Sequence, residues 1–447
     1  MHEDLISAVN ADFDRIRGDL ESLVRIPSVS AADFDAAQVR RSADAVKEML
    51  REAGLHNVQL LQLEGAHPAV FGEIPAPPGA PTVMLYAHHD VQPAGPDDLW
   101  SSPPFAPEER GGRLYGRGVS DDKSGIVVHL GAIRAHAGTP PVGVKVFIEG
   151  EEEIGSAHLI DFLNAYGDLL TADAIVIADS GNWRVGEPAL TVSLRGLVDC
   201  VVEVRTLESA IHSGQFGGTV PDALTTLSRL IATLHDETGE VAVAGLVSGG
   251  PTPIDLDEAE LREQAGAVSG LALLGSGSIT ERLWKKPAIA VLAIDAPAVA
   301  QSINALVPVA RAKLSLRLAP GEDPATATEA LRAHLLANAP WGAQVTITPG
   351  SSGDAFDLDT TGPAYDAYRQ AFAVAWGREA VEIGAGGSIP FVAAFSEMFP
   401  DADILLTGAG DPTSSAHGPN ESQDLGDLLR ATIAEAIALR LLSNAGQ

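Results

Sequence analysis

The chain has 447 residues, 45% hydrophobic and 20% charged, so it is long enough for two or three domains with real cores and is not a disordered polymer. Sixty acidic residues against 29 lysines and arginines give a formal net charge of −31, which argues against nucleic acid and anionic membrane surfaces as partners, because there is no basic excess to neutralise phosphates. No run approaches the roughly 18 apolar residues of a membrane span, the acidic start MHEDLISAVNADFDRIRGDL lacks an apolar leader core, and the lone Cys200 cannot close an internal disulfide; a cytoplasmic protein is expected.

Hydrophobic periodicity predicts helices over about 3–26 and 38–53, then strands at 68–74 and 81–87 separated by the loop PAPPGAP. A helix over 124–137, a strand at 142–149, a short helix near 156–165 and a strand at 173–178 follow. Strands alternating with helices indicate an α/β layer architecture. Near Ala189 the pattern changes: a long alternating strand over 190–205 leads to a helix opening at Pro221, then strands at 287–295 and 311–318, a helix at about 324–338 and a strand at 343–348. That order, β-α-β-β-α-β, is the ferredoxin-like split unit. Residues 190–350 are therefore expected to form a domain inserted into an α/β domain made of 1–189 and 351–447.

Polar clusters stand where the apolar runs end. YAHHDVQP, at 86–93, places His88, His89 and Asp90 at a strand exit; RGVSDDKSG places Asp121 and Asp122 before a helix. EGEEEIGS follows a strand with Glu151, Glu152 and Glu153, DSGNW puts Asp179 after another, and SSAHGPNE carries His417 in a loop after the apolar Ile404-Leu405-Leu406. Taken singly these are ordinary features: a glutamate run is usually a solvated face, and a DD pair before a helix is favourable charge at its N-terminus. Together they place carboxylates and imidazoles at the C-terminal ends of strands, the edge where open α/β sheets build sites. With no thiolate among them, this donor set suits Zn²⁺, Mn²⁺ or Co²⁺ in a hydrolytic centre better than a structural zinc site.

In this ordered set, together with IPSVS at 26–30, IHSGQFGG at 211–218 and GGSIP at 386–390, the sequence resembles the co-catalytic zinc exopeptidase family that includes carnosine dipeptidases, aminoacylase, glutamate carboxypeptidase and succinyl-diaminopimelate desuccinylase. The resemblance spans essentially the full chain. It implies two divalent metal ions, zinc or else manganese or cobalt, bridged by Asp121, one also held by His88 and Asp179 and the other by Glu153 and His417. Glu152 would be the general base and Asp90 would orient the His88 imidazole, with His89 turned away into packing. The Asp121–Asp122 peptide would be cis. The inserted domain would serve as a lid and homodimer surface, with His212, Asn304 and Arg317 binding substrate together with Gly387 and Ser388 of the loop.

Aspartate at 179, HHDVQP, DDK and HSG-x-FGG resemble the dipeptidase branch, which implies hydrolysis of the amide bond of a small peptide by metal-activated water. That branch commonly reads Arg-Glu-Gly-Gly-Ser-Ile-Pro where this chain has Gly384-Ala385-Gly386-Gly387-Ser388-Ile389-Pro390, so one arginine expected at the substrate carboxylate is absent. The alternatives are an amidohydrolase of N-acyl or N-succinyl amino acids and a silent metal-binding homologue.

Overall fold

The computed structural model describes residues 2–386 and 390–443. Packing divides the chain into two compact units. The first comprises the chain up to Val192, Leu358–Ile383 and the part from Pro390 onward; the second comprises Ser193–Asp357 and the short segment that begins at Gly384.

The first unit is built on a mixed sheet with the strand order His56–Leu61, Ala69–Ile74, Gly143–Glu149, Thr82–His88, Ala174–Ile177, Asp403–Leu406, Ala189–Leu194. Gly143–Glu149, Thr82–His88, Ala174–Ile177 and Asp403–Leu406 run parallel, and antiparallel strands flank them on both sides. The strand TVMLYAH is apolar almost throughout because both of its faces are covered. Val83, Leu85 and Ala87 enter the core shared with the helices Glu3–Val24, Lys123–Ala135 and Leu425–Leu442. Tyr86 alternates to the other face, where its ring lies 5.9 Å from Phe147 and 4.1 Å from Phe391 of the helix Pro390–Met398.

Two buried polar residues fix the start of Lys123–Ala135. Asp122 caps it, accepting from the Gly125 amide at 3.3 Å. Lys123, fully buried, donates from Nζ to the carbonyls of Leu23 and Ile26, both at 2.9 Å, and so closes the C-terminal end of Glu3–Val24. Gly125 has no room for a side chain: a Cβ would lie 2.6 Å from Asp122 Oδ1 and 2.9 Å from Ala178 Cβ. Gly125→Ala is therefore expected to destabilise the protein by about 1–3 kcal/mol, measured as a lower urea midpoint at unchanged slope.

The second unit contains a four-stranded antiparallel sheet in the order Ala288–Asp295, Val309–Leu318, Gly196–Arg205, Gln344–Gly353, with helices Ala223–Ala232 and Pro324–Ala337 in the connections. Second, third, first, fourth is the ferredoxin-like order. Along Gly196–Arg205 burial alternates, so Val198, Cys200, Val202 and Val204 pack on Leu227, Leu230, Leu331 and Leu335 while the intervening residues face out. Burial pushes the Cys200 thiol up to about 11, as expected of an inert core thiol.

One expected element is corrected. The strand over 190–205 is two strands, Ala189–Leu194 and Gly196–Arg205, which belong to different sheets and are broken at Arg195. Alternation runs through the break and hides it. The physical sign is Gly196, where a Cβ would lie 2.7 Å from the Gly353 carbonyl oxygen and 2.9 Å from the Ala355 nitrogen. Among the described residues no helix is long and apolar enough to cross a membrane.

Candidate metal centre

The parallel strands of the first unit deliver their polar residues to one edge. His88 ends its strand, Glu152 and Glu153 follow Gly143–Glu149 in a short 3-10 turn, Asp179 follows Ala174–Ile177, and the loop after Asp403–Leu406 carries His417. Asp121 arrives from the loop before Lys123–Ala135, across a cis peptide bond to Asp122.

The Asp121 carboxylate lies between two imidazoles. Its Oδ1 is 3.1 Å from His88 Nε2 and its Oδ2 is 3.0 Å from His417 Nε2. His417 Nε2 is also 3.2 Å from Glu153 Oε2, and His88 Nε2 is 3.9 Å from Asp179 Oδ2. Donor atoms of His88, Glu152 and Asp179 all fall within 4.8 Å of one another, as do those of His88, Asp121 and Glu153. His417 adopts φ +63°, a region L-residues enter infrequently, and the loop around it is tied down by Arg113, which donates to Asp411 Oδ2 at 2.8 Å and to Ser422 Oγ at 2.9 Å.

Charge balance indicates what this cluster is for. Among the described residues no lysine or arginine is ion-paired to Asp121, Glu152, Glu153 or Asp179. Four neighbouring carboxylates with only two imidazoles between them need further positive charge to remain ionised. Burial, then the nearby Asp121 charge, hold Asp179 well above the usual carboxylate range, and burial with the charges of Glu153, Asp121 and Asp90 pushes Glu152 up to about 7 despite the opposing pull of His88. The carboxylates shift the imidazoles in turn: hydrogen bonds with Asp121 and Glu153 raise His417 to about 10, and His88 is held well above its usual range by Asp121 and Asp90 against the effect of its burial. Divalent cations would fit this oxygen and nitrogen donor set and would supply the missing charge.

Asp90 has a second task besides the one expected. Its Oδ1 is 3.4 Å from His88 Nδ1, whose nearer partner at 3.1 Å is the Asp90 carbonyl oxygen. The same carboxylate accepts the backbone amides of Glu152 at 3.2 Å and Glu153 at 3.1 Å, so it sets the turn that aims both glutamates. His89 is buried with Nε2 2.9 Å from the Pro68 carbonyl oxygen, and burial pulls it down to about 4, keeping it neutral. Glu151 likewise serves structure, accepting from the His67 amide and lying 2.8 Å from His158 Nδ1.

Two supporting residues escaped sequence reasoning. Gln92 donates through its backbone to Glu153 Oε1 at 3.1 Å and through Nε2 to Glu153 Oε2 at 2.9 Å. Glu421 is fully buried and accepts from the backbone amides of Gly118, Ser120 and Asp121 as well as from Arg117, so it shapes the loop that presents Asp121. Both lie inside motifs already singled out, YAHHDVQP and SSAHGPNE, and that proximity was the available signal.

The expected substrate-binding residues belong to the second unit. His212 is exposed, its Nδ1 accepting from the Gly214 amide at 3.1 Å, and it sits on a two-residue strand paired with Ala305–Leu306, beside Asn304. Arg317 lies on Val309–Leu318 opposite Leu197. Gly387 and Ser388 lie outside the described residues.

The sequence pattern of peptidase family M20/M25/M40 matches residues 84–439. The chain is 34% identical over 431 residues to the cysteinylglycine-S-conjugate dipeptidase of Corynebacterium striatum, covering 95% of this chain and 94% of that protein. The fold matches human carnosine dipeptidase 1 with a TM-score of 0.83 at 24% identity, over 99% of this chain and 98% of that one. It also matches an M20 family metallo-carboxypeptidase from Sulfolobus solfataricus with a TM-score of 0.83 at 26% identity, over 96% and 99%. A family match over residues 84–439 and a relative 34% identical over 95% of this chain make the chain a member of peptidase family M20/M25/M40.

Proposed function

We propose that the chain hydrolyses the amide bond of dipeptides or other short peptides in a metal-dependent reaction. The observation that carries this reading is the Asp121 carboxylate divided between His88 and His417, with Glu152 fixed beside them through Asp90. The dipeptidases among its relatives support the reaction class.

His88, Asp121 and Asp179 would hold one ion and Asp121, Glu153 and His417 the other; zinc suits these donors, with manganese or cobalt as substitutes. Divalent ions held there would supply Lewis acidity, making a water molecule more acidic and polarising the scissile carbonyl. Glu152 takes the proton that the attacking water gives up and delivers it to the leaving amine as the C–N bond breaks, leaving the water oxygen on the new carboxylate. His212, Asn304 and Arg317 would position the substrate, Arg317 through its carboxylate.

The test is a panel of unblocked dipeptides and N-acyl amino acids offered to metal-reconstituted protein. Cleavage of the dipeptides is the expected result. Cleavage confined to the acylated compounds would transfer the protein to the amidohydrolase reading.

The second unit would also carry a homodimer contact. Its strand Ala288–Asp295, an edge strand among the described residues, exposes Val291, Leu292 and Ile294, apolar residues that a second copy could cover. Leu292→Glu is expected to convert the dimer to monomer in light scattering while leaving the urea midpoint within about 0.5 kcal/mol of wild type, as for a surface change.

A further inference from the structure

Arg195 and Arg317 belong to the second unit and, among the described residues, neither has an acidic partner. Arg317 stands opposite Leu197, and Arg195 precedes Leu197 by two residues on the neighbouring stretch, a diagonal arrangement that brings long side chains within reach of each other. Among the described residues no hydrogen bond or ion pair reaches either guanidinium, and the Arg195 Nε is buried. Burial, and then the charge of Arg317, pull Arg195 down to about 10.

The surroundings hold Arg195 in this place. Its backbone amide donates to the Ala385 carbonyl oxygen at 3.1 Å, and its Nη2 lies 3.0 Å from the point where a Cβ on Gly386 would stand. At Gly384 a Cβ would meet Trp284 Cβ at 2.6 Å, so a side chain there would have to displace the tryptophan. Gly384 and Gly386 thus leave room for the Arg195 side chain.

We propose that Arg195 is a substrate-binding residue that grips, together with Arg317, the free C-terminal carboxylate of the peptide. Like charges brought together under partial burial are unfavourable until an anion joins them. A carboxylate has two oxygens and several lone pairs, enough to accept from two guanidinium forks at once, and a planar fork fits it better than a lysine ammonium does. The proposal rests on the dipeptidase reading, since it needs a substrate whose carboxylate is free.

The experiment compares wild type, Arg195→Met, Arg195→Lys and Gly386→Ala on L-alanyl-L-alanine and on its C-terminal amide. Arg195→Met should raise KM for the free acid about 10- to 100-fold, the range for a hydrogen bond to a charged group. Its kcat should stay within about threefold of wild type, as should its KM for the amide. Arg195→Lys should recover part of the loss, and Gly386→Ala, which pushes on the guanidinium without removing it, should shift KM the same way by less. If Arg195→Met does not fold, the lysine and alanine variants decide the matter. Equal changes for acid and amide, or no change for either, would overturn the proposal. If wild type cleaves neither compound the dipeptidase reading fails separately, and equilibrium binding of the two compounds to metal-free protein then decides. A preference for the free acid that Arg195→Met abolishes sustains the role of Arg195, and equal binding of acid and amide removes it.

Discussion

Glu152→Gln lowers kcat by about 10²- to 10⁴-fold, the usual worth of a general base, while the protein still binds two equivalents of divalent metal. The expectation follows from geometry. Glu152 shares a turn with Glu153, and its backbone amide is held by Asp90, so glutamine keeps the shape and loses only the proton acceptor. Because Glu152 lies within 4.8 Å of His88 and Asp179 donor atoms, metal binding has to be measured alongside rate to separate a base from a ligand. Loss of one equivalent in Glu152→Gln would make it a ligand. The pH profile supplies an independent check. A base must be deprotonated, so kcat/KM falls as pH drops through its pKa; that value is about 7 for the protein alone and is displaced downward by nearby cations. The acid limb should therefore lie below pH 7 and vanish in Glu152→Gln.

Asp121→Asn has the second large effect. The Asp121 carboxylate reaches His88 on one oxygen and His417 on the other, so it is placed to serve both proposed metal positions. An asparagine keeps the volume, replaces one oxygen by a donor and removes the charge. Activity should drop by more than about 10²-fold, since loss of even an outer partner of a ligand costs about 10- to 100-fold. Titration calorimetry should show one weakened equivalent of metal, or none. Two undiminished equivalents would remove Asp121 from the bridge. The hydrogen bonds that the Gly118, Ser120 and Asp121 amides donate to Glu421 depend on the backbone and should survive the change, so the urea midpoint serves as the control for folding.

How much of this was legible in the sequence differs by level. The parallel strands could be read because each is an apolar run that stops abruptly at charged or imidazole residues, as Leu85 does before His88 and Ile177 before Asp179. The ferredoxin-like order could be read because alternation in 196–205 and helical spacing in 223–232 each match their periods. The break at Arg195 could not, because the strands on both sides of it alternate and periodicity carries no information about which sheet a strand joins. Nor could the tasks of Gln92 and Glu421: their partners are Glu153 and the 117–121 loop, 61 and about 300 residues away in sequence. Asp90 was legible as a neighbour of His88, but its hold on the Glu152 and Glu153 amides depends on a register that only the folded sheet sets.

The central claim is that the carboxylates gathered around His88 and His417 are a two-metal hydrolytic centre. Its most direct test is hydrolysis of an unblocked dipeptide by chelator-stripped protein as zinc is added in known equivalents. The expected curve starts near zero and saturates at two equivalents, and the thermal midpoint rises over the same range because the metal binds the folded state. Hydrolysis by stripped protein, or two bound equivalents with no cleavage of any amide, would contradict the account.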